Sequence, residues 1–180
     1  MFSKEALEAF KKQYKKEQGR ELSDDEALAI ALHENAILHT QNFVSRLEQE
    51  FGGLDYDTKA KLSEDIMSYS LSLILIYLGF KKKFDSLRSM VLSEYEKLIR
   101  THSGAINEEQ NKALYQFLYE KLCRNIMWLS TAFEKRIVID KIISGISSYA
   151  PSYKYKSIVE RLVSDVELSM KHFEIVPEGG

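Results

Sequence analysis

The stretch Ser70–Phe80, SLSLILIYLGF, decides how the rest of the chain is read. Its apolar residues fall on every side of a helix rather than on one stripe. A membrane-spanning helix needs about 20 consecutive apolar residues, and this run is roughly half that. The piece Leu73–Tyr77, LILIY, is rich in β-formers, but the sequence around it keeps helical spacing. The segment therefore predicts a central helix over 58–79, covered by other helices on all faces. Gly79 and the lysines Lys81, Lys82 and Lys83 suit its C-terminus, where cations are favoured and glycine can turn the chain.

Working outward, the same period appears on both sides. Residues 3–18 place Leu7, Phe10 and Tyr14 at steps of three and four, and Gly19 is a natural stop. Ser23 with Glu26 has the spacing of a capping box, and Asp24, Asp25 and Glu26 suit the positive end of a second helix. That helix runs to about Phe51, where Gly52 and Gly53 end it. Downstream, Phe84, Leu87, Val91, Tyr95 and Leu98 form one stripe of a helix over 84–102. Asn107 with Gln110 marks a further N-terminus. No proline occurs from there to Ala150, and a break is expected near 130–134 or at Gly145. Ser152 is expected to cap a last helix reaching Phe173, with Ile158, Leu162, Val166 and Met170 inward. The tail 174–180 reads as loose.

The pattern FKKQYKKEQGRELSDDEA, carried by Phe10, Tyr14, Gly19, Leu22, Ser23, Glu26 and Ala27, resembles an N-terminal helical hairpin of bacterial proteins from mobile or accessory gene contexts. It covers about the first thirty-five residues. The resemblance implies a bacterial or phage-related origin and no particular chemistry.

Bulk composition agrees with a folded helical protein. The 180 residues include only 2 prolines and 8 glycines, too few breakers for an all-β chain. With 25 basic and 27 acidic side chains the formal charge is -2, so there is no global field toward nucleic acid or an anionic membrane. The single cysteine, Cys123, allows no intrachain disulfide, and a reducing cytoplasm is the expected compartment. The charged start of the chain has no apolar core of a secretory signal.

The segment His33–His39, HENAILH, looks like a zinc-protease motif with its second histidine displaced. Two metal-ligating histidines four apart share a helix face. Here the offset is six, so the rings diverge by about 120° and stand about 9 Å apart along the axis. One ion is not shared by such a pair. His33 falls in the middle of the apolar arc beside Thr40, which predicts a buried imidazole hydrogen-bonded to a neighbouring helix, or a pH-sensitive polar spot at an interface. No metal or other cofactor is expected.

Other chemistries lack their residues. Paired Glu-x-x-His ligands, phosphate-cradling glycine loops and a G-x-S-x-G turn are all missing from the sequence. Cys123 reads as a small packed hydrophobe, although Lys121 and Arg124 would favour its thiolate if it were exposed. Two basic groups, Lys11, Lys12, Lys15 and Lys16 around Tyr14, and Lys81, Lys82 and Lys83, would grip phosphates if the fold gathered them. Otherwise they are solvated faces. Three of the 10 tyrosines, Tyr149, Tyr153 and Tyr155, cluster in SYAPSYKYK. They serve either as a protein interface or as filler between two helices.

The expectation is thus an all-α bundle of six or seven helices around the 66–80 segment, forming a single domain with 1–53 as an N-terminal hairpin. Three functions are open. The first is a non-catalytic protein-interaction module, a bacterial or phage regulator or inhibitor that binds a larger protein, with homodimerisation as a further use of a heptad-like stripe. The second is a nucleic-acid-associated protein using the two lysine groups. The third is an enzyme whose groups, such as His102, His172, Glu160 or Asp140, converge only in the fold.

Overall fold

Helical periodicity in the sequence becomes seven α-helices, and no strand occurs among the described residues. The computed structural model describes residues 4–102, 107–132, 134–146, 148–149 and 154–174. The helices are α1 (Lys4–Gln18), α2 (Asp24–Phe51), α3 (Tyr56–Gly79), α4 (Asp85–His102), α5 (Glu108–Ser130), α6 (Lys135–Ile146) and α7 (Lys156–His172), with one turn of 3-10 helix at Lys82–Phe84.

The central helix is α3. It packs against α2, α4, α5, α6 and α7. Ile66, Leu71, Ile74, Leu75 and Leu78 are fully enclosed, and every residue from Ile66 to Leu75 is buried. Burying a leucine or isoleucine side chain stabilises the fold by about 1.5–3 kcal/mol, so this one helix carries a large share of the hydrophobic driving force. The serines that interrupt the apolar run are buried with it. Ser72 donates to the Ser68 carbonyl at 2.6 Å, and the Ser68 hydroxyl accepts from Asn125 of α5 at 2.8 Å. Small side chains also let neighbours come close. At Gly145 of α6 a Cβ would lie 1.9 Å from the Tyr69 hydroxyl of α3, so any other residue there would have to displace that tyrosine.

Helix ends are set by local hydrogen bonds. Ser23 caps α2 as a full box: its hydroxyl accepts from the Glu26 N–H at 3.1 Å, and its own N–H donates to Glu26 at 2.8 Å. These bonds hold the Glu26 carboxyl below its ordinary range. Asn107 caps α5 through the Gln110 N–H at 2.9 Å. The start of α3 lies two residues before the expected 58, because Asp55 caps it by accepting from both the N–H and the hydroxyl of Thr58. The break between α5 and α6 falls at 131–134. Across it Lys141 donates to the Trp128 carbonyl, satisfying one of the acceptors that a helix end leaves open. In α7, Ile158, Leu162, Val166 and Met170 are buried as the stripe predicts. The helix begins at Lys156, and the expected cap Ser152 lies outside the described residues.

No helix among the described residues is long and apolar enough to cross a membrane. Helices α2, α3, α5 and α4 form a ring of neighbours, with α7 and α6 against its flank and α1 lying on α2.

Candidate functional site

The two histidines of the second helix part company. His33 faces α4, its ring 6.3 Å from that of Tyr95. His39 faces α7, its Nε2 3.1 Å from the Ser169 hydroxyl. Both are buried, at 5% and 6% exposure. The expected hydrogen bond from His33 to a neighbouring helix is not formed by its Nε2, which is enclosed without a partner. Helix α2 packs on α4, and Glu94 of α4 acts on the imidazole through space. Burial pushes the His33 imidazole down to about 4, against a smaller upward pull from Glu94. Burial also lowers His39. Among the described residues no group of three or more His, Cys, Asp or Glu is placed to hold a metal ion.

One opening lies at one end of the four-helix ring. The later halves of α2 and α4 and the earlier halves of α3 and α5 spread around a cavity of about 980 Å³. Val44, Met67, Tyr95, Ile99 and Leu118 form its deep wall, each less than 9% exposed. Thr40 is also deep, its hydroxyl donating to the Ala36 carbonyl at 2.9 Å and lying 3.6 Å from the Met67 sulfur. Gln41, Ser45, Ala60 and Glu64 lie at the exposed edge. The charges there are paired. Lys59 binds both oxygens of Glu48 at 2.9 and 3.1 Å. Lys121 of α5 pairs with Glu64 at 2.7 Å and with Asp65.

A second feature is a set of apolar side chains turned to solvent where α5 meets α6. Met127 is 72% exposed, Trp128 38% and Ile137 41%. The Trp128 ring lies beside Gly145 and under the Lys141 ammonium, 5.7 Å from its centroid. Ile137 lies one turn from Lys141 on the same face of α6.

The residues singled out from sequence are dispersed. Lys11 is tied to Asp24 at 2.7 Å and Glu8 at 3.1 Å, and the Asp24 bond, then that to Glu8, raises its pKa. Lys15 pairs with Glu21. Lys12 and Lys16 are exposed. Lys81, Lys82 and Lys83 are exposed at the 3-10 turn, which packs on α3 and α4, whereas α1 packs mainly on α2. Lys83 lies over the Phe84 ring. Tyr155 takes the second of the two expected roles, filler between helices. It is 1% exposed, a core residue edge-on to Phe51, because the turn before α7 folds it under the bundle. Tyr149 is half-buried and donates to Asp65 at 2.7 Å; burial and then this bond raise its hydroxyl pKa. Tyr153 and the side chain of His102 lie outside the described residues. Glu160 and His172 stand about 18 Å apart along α7. Asp140 is exposed on α6, 4.0 Å from Arg136. Cys123 is half-buried one turn from Tyr119, and its thiol raises the Tyr119 hydroxyl pKa.

Comparison of the chain with protein-family models, with curated proteins and with solved structures found no match. Two features escaped the sequence reading. The cavity needs four helices to exist, and of its lining only Thr40 stood out. The exposed apolar residues did leave a trace. Leu118, Leu122 and Leu129 set the buried stripe of α5, and Met127 lies about 140° from Leu122 around the helix.

Proposed function

We propose that this protein works as a non-catalytic interaction module, a bacterial or phage regulator or inhibitor that binds a larger protein. The observation that carries the reading is the exposure of Met127, Trp128 and Ile137 on the two sides of the α5–α6 break. A methionine, a tryptophan and an isoleucine held in solvent on two rigid helices have the composition of an interface core. The Lys141 ammonium over the indole adds a polar edge. The nucleic-acid reading is weaker, since Lys11 and Lys15 already carry carboxylate partners. The enzyme reading is weaker too, since Glu160 and His172 stand about 18 Å apart along α7 and Asp140 is exposed.

The test is affinity capture with the wild-type chain and with Met127→Glu/Ile137→Glu. Both substitutions are at exposed positions and leave the core intact. The expected result is a partner held by the wild type and lost by the folded double variant. Retention of every captured protein by the variant would overturn the reading. Sedimentation of the wild type shows whether the partner is a second copy.

A further inference from the structure

We infer that the turn joining α3 to α4 docks on an anionic phospholipid surface, with the Phe80 ring entering the headgroup layer and Lys81, Lys82 and Lys83 meeting the lipid charges. The turn belongs to α3 and α4, whereas the exposed Met127, Trp128 and Ile137 belong to α5 and α6.

Charge selects the class of ligand. From Gly79 to Arg88 the chain carries four cations, Lys81, Lys82, Lys83 and Arg88, against one carboxylate, Asp85. Lys81, Lys82 and Lys83 are exposed and form no ion pair among the described residues, although Lys83 lies over the Phe84 ring at 4.7 Å. Arg88 has no carboxylate partner among those residues either, and its Nε is enclosed without a hydrogen bond. Its guanidinium carbon lies 3.6 Å from where a Cβ on Gly79 would stand, which puts the fourth charge at the base of the turn. Glu167, whose charge reaches Tyr77 of α3, is already held by Lys135 at 2.9 Å and Lys171 at 3.2 Å. The corner is therefore a local excess of positive charge in a chain of formal charge -2. Lys11 and Lys15 of α1, by contrast, are matched by carboxylates.

The aromatic selects among anions. Phe80 is 73% exposed, and its ring meets that of Tyr77 edge-on with 6.3 Å between centroids. From Phe80 to Lys83 is at most about 11 Å of chain, so the ring and the ammonium groups reach one plane together. An apolar ring held in water beside three lysines suits a lipid interface, where apolar groups enter the headgroup boundary and cations meet anionic lipid. A nucleic-acid strand is gripped differently, by a groove with a succession of stacking rings. Of the three rings at this corner, Tyr77 and Phe84 are half-buried against the core and only Phe80 is exposed.

The test is cosedimentation of the full chain with vesicles. Phosphatidylcholine vesicles containing about one third phosphatidylserine are expected to carry the protein down, and vesicles of phosphatidylcholine alone are not. Each lysine near such a surface contributes roughly fivefold in partitioning, so Lys81→Gln/Lys82→Gln/Lys83→Gln should weaken binding about a hundredfold. Lys82→Gln alone gives the milder form should the triple variant not fold. Phe80→Ser should weaken binding about tenfold while circular dichroism stays helical. Lys61→Gln makes the same change of charge at an exposed position about 27 Å away along α3 and should leave binding unchanged. Absence of wild-type binding to the phosphatidylserine vesicles overturns the proposal. So does full binding by the folded lysine variants or by folded Phe80→Ser, or an equal loss from Lys61→Gln and Lys82→Gln. Tighter binding of a labelled oligothymidylate than of the vesicles, weakened by the same lysine variants, would give the corner to nucleic acid and overturn it as well.

Discussion

Helices α3 and α1 are built on the same period and end in different places. In α3 twelve residues are buried; in α1 there are none. Leu7, Phe10 and Tyr14 of α1 are only half-covered, against a small cluster of Leu22, Ala27 and Ile30 that stands apart from the main core. A stripe of three apolar residues anchors a helix from one side. A helix apolar all round must be enclosed, and it organises whatever encloses it. The interior should therefore unfold as one unit, and the edge should open on its own.

The heaviest blow to that contrast is Ile74→Ala. Ile74 is fully buried in the middle of α3, and isoleucine-to-alanine changes in cores cost about 2–5 kcal/mol. Chemical denaturation followed by circular dichroism should show a single transition at lower denaturant with an unchanged slope. A loss under about 1 kcal/mol would mean that α3 is not the organising element.

Next in size is an acid effect through His33, on the inner side of α2. Its neutral form is favoured in the folded state, at about 4, against the ordinary 6.5. The unfolded chain therefore binds the proton more readily. This stability is fully present above pH 6.5 and is lost as pH falls toward 4, a change of about 3 kcal/mol over that window. Glu94 faces the ring and opposes the shift, and Tyr95 packs on it without charge. His39 is lowered by burial and acts in the same sense. Glu34 is raised by burial and by Glu94, and acts oppositely in the carboxylate range. Stability measured from pH 7 to 4 should fall steeply in the wild type and flatten in His33→Phe. Parallel profiles for the two proteins would remove His33 as the cause.

What could be read beforehand follows from how far apart the determining residues lie. The class of the fold, the burial of 66–75 and the Ser23 box depend on neighbours within a turn or two. So does the divergence of His33 and His39, which is angular arithmetic on one helix. Asp55 was missed as a cap although its signal, an aspartate three residues before Thr58, was local. The cavity, the orphaned His33 nitrogen and the burial of Tyr155 depend on which helix lies opposite, and no single segment states that. Tyrosines in SYAPSYKYK read either as surface or as filler between helices, and it took the fold to place Tyr155 against Phe51.

The mildest test is Phe10→Ala, and it separates edge from interior most finely. Phe10 stacks obliquely on Tyr14 at 6.3 Å and helps cover Leu22, Ala27 and Ile30. It also borders a smaller cavity of about 520 Å³ with Leu38, His172 and Phe173. A fifteen-residue helix is marginal in water without such contacts. Removing the ring should therefore release α1 locally. Amide exchange within 4–18 should approach that of an open chain, while protection within 66–75 is kept and the global midpoint moves by no more than about 1 kcal/mol. If instead Phe10→Ala lowers the whole transition as far as Ile74→Ala does, the edge and the interior are one cooperative unit.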